Sequence, residues 1–300
     1  MAQRDLIVGG AVGYDWNILK YWVNSIRKSG FDGDIGLVLS NVTKATLDKL
    51  TEEKICSFCY GKQTEDGGYE QHTNGAPHVE RFFYLWHFLA NLQETPRFVI
   101  VTDTRDVVFQ KNPSIWLENN LDNKKLVCAS EGLLYKDEPW GNQNLYQSFG
   151  PFFHKMLHEE MIYNVGTIAG TFNIIQSLML MIFQLSINRP IPIVDQAVFN
   201  FIINQSPYQE LIYQAKNNDC WAAQLGTSVR AVESGSGDLG VQYGSDPSRL
   251  LEYQMLYKDQ QPVICDDGVV VNSHGKKFII VHQYDRVAGL KEKIENRYGE

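Results

Sequence analysis

Positive charge is in short supply in this chain, where 27 Lys and Arg face 35 Asp and Glu for a net charge of −8. A protein that grips a phosphate backbone needs a cationic surface, so nucleic acid is not an expected partner. Cysteine is scarce and odd in number: Cys56, Cys59, Cys128, Cys220 and Cys265 are scattered over 300 residues. That pattern argues against a disulfide framework and for reduced thiols, so a cytoplasmic location is expected. Cys56-Ser57-Phe58-Cys59 has no second pair nearby and no haem-type histidine after it, and is read as two ordinary thiols. Long hydrophobic runs are missing as well. The most apolar segment, residues 174–187, is interrupted by Gln176 and Gln184 and is too short to span a bilayer. No transmembrane segment is expected, and Met1-Ala2-Gln3-Arg4-Asp5 carries none of the marks of a cleaved leader. There is no internal repeat, heptad pattern or evident linker, so residues 1–300 are expected to form a single domain.

The first forty residues set the fold class. Leu6-Ile7-Val8 has the composition of a short buried strand, and Ile18, Leu19, Trp22, Val23 and Ile26 form a helical stripe after it. Ile35-Gly36-Leu37-Val38-Leu39 follows as a second strand, which makes a parallel β-helix-β unit. Between the first strand and the helix, Gly9-Gly10-Ala11-Val12-Gly13 lets backbone approach a ligand closely. Its spacing is not G-x-G-x-x-G, and the second strand ends in Ser40-Asn41 rather than a ribose-binding acid, so a dinucleotide cofactor is not favoured. A second helix is predicted over 44–54, then a polar, glycine-rich loop over 62–77 able to order over a ligand. A helix over 78–92 carries a stripe of Phe82, Leu85, Trp86 and Leu89, with Arg81 in its first turn, placed to clamp a phosphate or an acidic partner.

The densest chemistry follows. Phe98-Val99-Ile100-Val101-Thr102 reads as a central strand buried on both faces, and it ends in Asp103-Thr104-Arg105-Asp106 before a second short apolar run. Open α/β sheets bind ligands at the carboxyl ends of their strands, and two neighbouring acids repel unless a cation lies between them. Asn112-Pro113 begins a short turn or helix carrying Trp116. Residues 126–130 form another strand, ending in Glu131. A polar aromatic loop is predicted over 135–153, with Glu138, Trp140, Asn142 and Asn144 available for recognition. Residues 164–171 form a strand of small residues with two glycines, which leaves room for a ligand against its backbone. An apolar helix over 172–187 follows, then a helix with Asp195-Gln196 in its first turn. Residues 222–275 suggest short strands and turns, with a glycine-rich loop over 233–246. The strand over 278–281 leads into His282-Gln283-Tyr284-Asp285-Arg286, where a histidine just past a strand end is a candidate metal ligand.

This order of motifs resembles the GT-A nucleotide-diphospho-sugar glycosyltransferases, particularly the glycogenin-like and bacterial lipopolysaccharide galactosyltransferase group. The resemblance implies an α/β, Rossmann-like fold with a mostly parallel central sheet flanked by helices. A nucleotide-binding half would span 1–125 and an acceptor and sugar half 126–300. Asp103-Thr104-Arg105-Asp106 would fill the place of the Asp-x-Asp motif that holds Mn²⁺ (or Mg²⁺) against the donor diphosphate, and Ile280-Val281-His282 would supply His282 as third protein ligand. Val79-Glu80-Arg81-Phe82-Phe83-Tyr84 resembles the arginine-bearing helix before the metal strand, Asn164-Val165-Gly166-Thr167 the segment lining the sugar pocket, and Asp195-Gln196 the dipeptide facing the donor sugar. Expected donor contacts are therefore Gly9, Gly10, Arg81, Asp103, Asn164, Gly166, Thr167 and Arg286, and the expected catalytic residues are Asp195, Gln196 and Glu131.

The partners implied are a UDP-, GDP- or dTDP-linked sugar and a carbohydrate or glycan acceptor, with a hexosyl group transferred in a retaining reaction. An inverting reaction would need a carboxylate base, for which Glu131 and Glu138 are the candidates. One departure is plain: the two acids are separated by two residues instead of one. Positions i and i+3 of a strand do not share a face, so both acids meet one ion only if the chain turns at Thr104-Arg105. Asp106 is then the firmer ligand, with Asp103 on the metal or on the donor ribose. Two other functions fit the same sheet. A nucleotide-sugar pyrophosphorylase or hydrolase would carry a lysine in the loop after the first strand, whereas the first lysine here is Lys20. A non-catalytic nucleotide- or carbohydrate-binding protein would bind donor with Mn²⁺ without releasing nucleotide.

Overall fold

Five consecutive apolar or β-branched residues need cover on both faces, and the chain provides it by threading residues 98–102 through the middle of a sheet. The computed structural model describes residues 3–237, 239, 246–257 and 261–300. Its first half contains β1 (Leu6–Val12), α1 (Trp16–Lys28), β2 (Asp34–Ser40), α2 (Lys44–Glu52) and β3 (Cys56–Cys59). A small hairpin of β4 (Lys62–Gln63) and β5 (Tyr69–Glu70) leads to α3 (Pro77–Ala90), β6 (Phe98–Thr102), β7 (Val107–Phe109) and α4 (Pro113–Asn120). Then come β8 (Leu126–Leu134), α5 (Pro139–Leu157), β9 (Met161–Thr171), α6 (Phe172–Ser186), α7 (Asp195–Ile203), α8 (Tyr208–Leu211) and β10 (Ile212–Ala215). The last part holds β11 (Ala222–Gln224), α9 (Val229–Ser234), a helix at Pro247–Tyr257, the hairpin β12 (Val263–Ile264) and β13 (Val270–Val271), β14 (Ile280–His282) and a helix at Leu290–Tyr298.

Seven strands form the main sheet in the order β10-β8-β9-β6-β1-β2-β3, with β6 at its centre. Every neighbouring pair is parallel except those of β9, which runs antiparallel to both β6 and β8. Side chains alternate across this sheet, as the two-residue period of a strand requires. Val8, Val38, Val99 and Val101 pack on one face against α3, α6 and α7. Ile7, Leu37, Leu39 and Ile100 pack on the other against α1, α2 and α4. A second sheet, β11-β14-β7, lies beside the first and packs Val108, Ala223 and Val281 against Leu290, Ile294 and Tyr298 of the last helix.

Several elements differ from the sequence expectation. The two apolar runs over 98–102 and 107–109 are separate strands as read, but the turn after Asp103 sends them into two different sheets, which the sequence does not show. The expected loop over 135–153 is a short 3-10 turn followed by the long helix α5. Its polar, aromatic composition and the Gly150-Pro151 break hid the helical period; Gly150 (φ 74°) carries the kink. Glu131 lies inside β8 instead of at its end, beside an irregularity where Gly132 adopts φ 76°. Helices α9 and Pro247–Tyr257 occupy a region expected to hold only short strands and turns. In the glycine-rich loop over 233–246, residues 238 and 240–245 lie outside the described residues. Cys56 is exposed and Cys59 half-buried on β3 at the sheet edge, and burial raises the pKa of both thiols. Among the described residues, no helix is long and apolar enough to cross a membrane.

Ile100 is fully buried at the sheet centre, whereas Ile115 on α4 is 57% exposed. Ile100→Ala is therefore expected to lower the free energy of unfolding by about 2–5 kcal/mol. Ile115→Ala should stay within about 0.5 kcal/mol of the parent, with urea denaturation as the measurement.

Candidate active site

The four residues Asp103 to Asp106 turn the chain from one sheet to the other, and each is held in place from a different element. Asp103 N–H donates to the Gly166 carbonyl at 3.0 Å, which extends the β6–β9 ladder by one step. Thr104 Oγ1 donates to the Gly10 carbonyl at 3.1 Å. The Arg105 carbonyl accepts from Tyr284 Oη at 3.0 Å, and the Asp106 carbonyl accepts from Gln283 N–H at 2.8 Å. Gln283 takes a left-handed conformation (φ 59°), uncommon for a residue with a side chain, immediately after His282. The turn brings both acids to one point, as the two-residue spacing requires.

The late histidine arrives by strand pairing. β7 and β14 are antiparallel with Val107 opposite His282, so the imidazole lies next to Asp106. His282 Nε2 is 3.4 Å from Asp103 Oδ2 and 3.7 Å from Asp106 Oδ1, and ligand atoms of all three residues lie within 4.8 Å of one another. Donor atoms about 2.0–2.6 Å from one ion lie about 2.8–3.7 Å apart at right angles, so a divalent cation fits this set. Two carboxylates with one imidazole suit Mn²⁺ or Mg²⁺ better than a thiolate-seeking metal.

The charges around this point are unevenly balanced. Burial alone would raise the Asp103 pKa, but the charges of Arg81 and His282 outweigh it and hold the carboxyl well below its usual range. Asp106, more deeply buried, is pushed above the usual range mainly by desolvation, against the pull of His282. Burial works against a charged His282, yet the Asp106 and Asp103 carboxylates raise its pKa overall. Arg81, from the first half of α3, bridges two acids: Nη1 donates to Asp103 Oδ1 and Nη2 to Asp195 Oδ2, the latter at 2.9 Å. Asp195 is the first residue of α7, where a carboxylate also complements the helix dipole.

These groups face a cavity of about 1080 Å³. Gly10, Arg81, Asp103, Asp106, His282 and Arg286 line it, together with Asn164, Gly166, Glu131, Asp195 and Gln196. Asn164 ties several of these residues together: its Nδ2 donates to Glu131 Oε1 (2.8 Å) and Gln196 Oε1 (3.2 Å), and its Oδ1 accepts from Gly166 N–H. Glu138 also lines the cavity, but its carboxylate caps α5 by accepting from the N–H groups of Trp140 and Gly141. The loop over 62–77 contributes Gln71 to Gly75 to the rim.

Two expected donor contacts are not among the lining residues. Gly9 points away from the cavity, and a Cβ there would collide with the Thr104 methyl, so its smallness seats the acid-bearing turn. Thr167 is fully buried on the opposite face of β9 from Asn164 and Gly166. Nor do the two glycines of β9 leave open space. A Cβ on Gly166 would lie 2.7 Å from Asp103 Oδ2 and 2.9 Å from His282 Cε1, and the room beside Gly170 is filled by the Lys125 backbone. Sequence reasoning passed over Gln224, Gln283 and Tyr284, which hold the acids and the imidazole in place; Gln283 and Tyr284 had a signal, their positions directly after the singled-out histidine.

Gly166→Ala should thus push Asp103 and His282 apart. The expected result is at least about tenfold weaker Mn²⁺ binding by calorimetry with an unchanged circular dichroism spectrum, on the scale of perturbed metal shells; wild-type affinity would show that the cluster tolerates a methyl group at this point.

No protein-family model matches the sequence, and no curated protein does. Solved structures do. The galactosyltransferase LgtC, in complex with donor and acceptor sugar analogs, aligns with a TM-score of 0.56 at 11% identity, over 98% of this chain and 96% of LgtC. An active-site mutant of LgtC aligns at 0.55 and 11% identity, over 97% and 94% of the two chains. The bifunctional glycosyltransferase WbbM, in its apo form, gives 0.54 at 10% identity over 100% of this chain, which spans about half (52%) of WbbM. At such identities the likeness is one of architecture, a seven-stranded, mainly parallel sheet flanked by helices: the chain has the GT-A fold.

Proposed function

We propose that this chain is a metal-dependent glycosyltransferase that moves a hexosyl group from a nucleoside-diphosphate sugar to a hydroxyl of a carbohydrate acceptor, with retention of configuration. The observation that carries the reading is the Asp103–Asp106–His282 cluster, set in the cavity at the carboxyl ends of β1, β2 and β6. A volume of about 1080 Å³ stands at the top of the common range for ligand pockets, about 300–1,000 Å³, and has room for a nucleotide-sugar donor.

The roles divide along the walls. Ala11, Val12, Tyr14 and the Val38–Asn41 segment offer a slot for the nucleoside, and Gln71 to Gly75 line the same cavity. Asp103, Asp106 and His282 would hold Mn²⁺ or Mg²⁺, which when bound stabilises negative charge on the departing phosphate oxygen. Arg286 and Arg105 add positive charge on the same side. Arg81 is engaged with Asp103 and Asp195, so we assign it to orienting those two acids. Asp195, Gln196 and Glu131 face the transferred sugar from the Asn164 wall.

In the reaction the bond from the anomeric carbon to the phosphate oxygen breaks with its electron pair on that oxygen. The acceptor oxygen forms the new bond, and its proton passes to the departing phosphate. Retention needs no dedicated carboxylate base, in keeping with a Glu138 that is committed to capping α5.

The test is a thermal-shift and calorimetry panel of UDP-, GDP- and dTDP-sugars with and without Mn²⁺. One donor class should bind only with the metal and slowly release its nucleotide. Asp106→Ala should weaken that metal-dependent binding by at least about tenfold while leaving the fold intact. Unchanged affinity in Asp106→Ala, or donor binding indifferent to metal, would defeat the proposal; binding without any turnover would favour a non-catalytic binding protein.

A further inference from the structure

We infer that Gln224 is a positioning residue for the metal centre: its side-chain amide holds His282 with Nδ1 protonated and Nε2 turned toward the two acids, and Thr167 anchors the far end of that amide. This rests on the metal-dependent reading above and extends it to residues outside the cavity. β11 runs parallel to β14 with Gln224 directly beside His282, so the two side chains share a face. Gln224 Oε1 is 2.7 Å from His282 Nδ1, and Gln224 Nε2 donates to Thr167 Oγ1 at 2.7 Å. Gln224 and His282 are each 3% exposed and Thr167 not at all, so water does not compete for these bonds.

An amide oxygen can only accept, so the ring nitrogen facing it carries the proton. In a neutral imidazole the lone pair then sits on Nε2, the atom 3.4 Å from Asp103 Oδ2 and 3.7 Å from Asp106 Oδ1. The opposite amide orientation would aim the NH₂ group at Nδ1, force the proton onto Nε2 and close the site to a cation. Thr167 lies opposite Thr102 in the β6–β9 ladder, one residue before Asp103, and its carbonyl accepts from Trp221 Nε1 at 3.0 Å. The relay therefore refers the histidine to the same strand pair that carries the first acid.

The experiment uses the full chain and three readouts. Gln224→Met keeps the length of the side chain and removes the amide; it should weaken Mn²⁺ binding by about 10–100-fold in calorimetry. Gln224→Glu keeps an acceptor toward Nδ1, with the Thr167 hydroxyl free to donate to its other oxygen, and should restore wild-type-like affinity. In metal-free wild type at a pH where the ring is neutral, long-range ¹H–¹⁵N spectra should show His282 protonated on Nδ1 and bare on Nε2. Wild-type affinity in Gln224→Met, or an unprotonated Nδ1, overturns the inference. The spectrum needs no variant, so it decides even if a substitution prevents folding. A wild-type protein that binds neither Mn²⁺ nor Mg²⁺ overturns the metal-dependent reading itself, whereas metal binding unaffected by Gln224→Met overturns the relay alone.

Discussion

The candidate site exists because β7 and β14 pair. Val107–His282, Val108–Val281 and Phe109–Ile280 are three cross-strand pairs that join the middle of the chain to its far end. Val107, Val108, Phe109, Ile280 and Val281 are all completely buried. Burying each such side chain is worth roughly 1.5–3 kcal/mol, so the apolar strands beneath the site outweigh the mutual repulsion of two acids at its surface. Hydrophobic burial fixes the position, and the carboxylates are crowded together as a consequence. The pairing does not depend on an ion being present, so the cluster is preorganised for one.

Charge compensation is the second constraint. Asp103, Asp106, Asp195 and Glu131 all line one cavity, so their charges must be offset by cations around it. Arg81 joins Asp103 to Asp195 across the donor side, and removing one partner of such a half-buried set would leave its acids uncompensated. His282 faces Asp103 and Asp106, at 3.4 and 3.7 Å from their carboxylate oxygens. What remains is negative on the open side of Asp103 and Asp106, where a divalent cation carrying a diphosphate is the complementary ligand. Arg105 and Arg286 at the rim extend that complementarity toward an anionic substrate.

Much of the fold was legible because its signals are local. The parallel β1-α1-β2 unit, the arginine helix α3, the central strand β6 and the Asp195-Gln196 start of α7 all follow from periodicity and caps visible over ten to fifteen residues. The second sheet was not: the run over 278–281 reads as a strand and becomes β14, but nothing local says that it pairs with β7 and β11, which lie far off in sequence. Helix α5 was hidden by its polar aromatic composition and by Gly150-Pro151. Gly9 and Thr167 were grouped with ligand contacts although strand alternation alone places them on the faces opposite Gly10 and Asn164. The glycine of Asn164-Val165-Gly166 was read as room for a ligand, whereas Asp103 and His282 press into that space. Gln224 gave no signal at all, because its meaning depends on which residue β14 sets beside it.

The central claim is that acids from the middle of the chain and an imidazole from its end grip one cation. Anomalous diffraction at the manganese edge, from crystals grown with Mn²⁺ and a nucleoside diphosphate, tests it most directly. One peak is expected within about 2.0–2.6 Å of carboxylate oxygens of Asp103 and Asp106 and of His282 Nε2, with diphosphate oxygens on its open side. A manganese peak bound elsewhere, or none in the presence of ordered nucleotide, would contradict it.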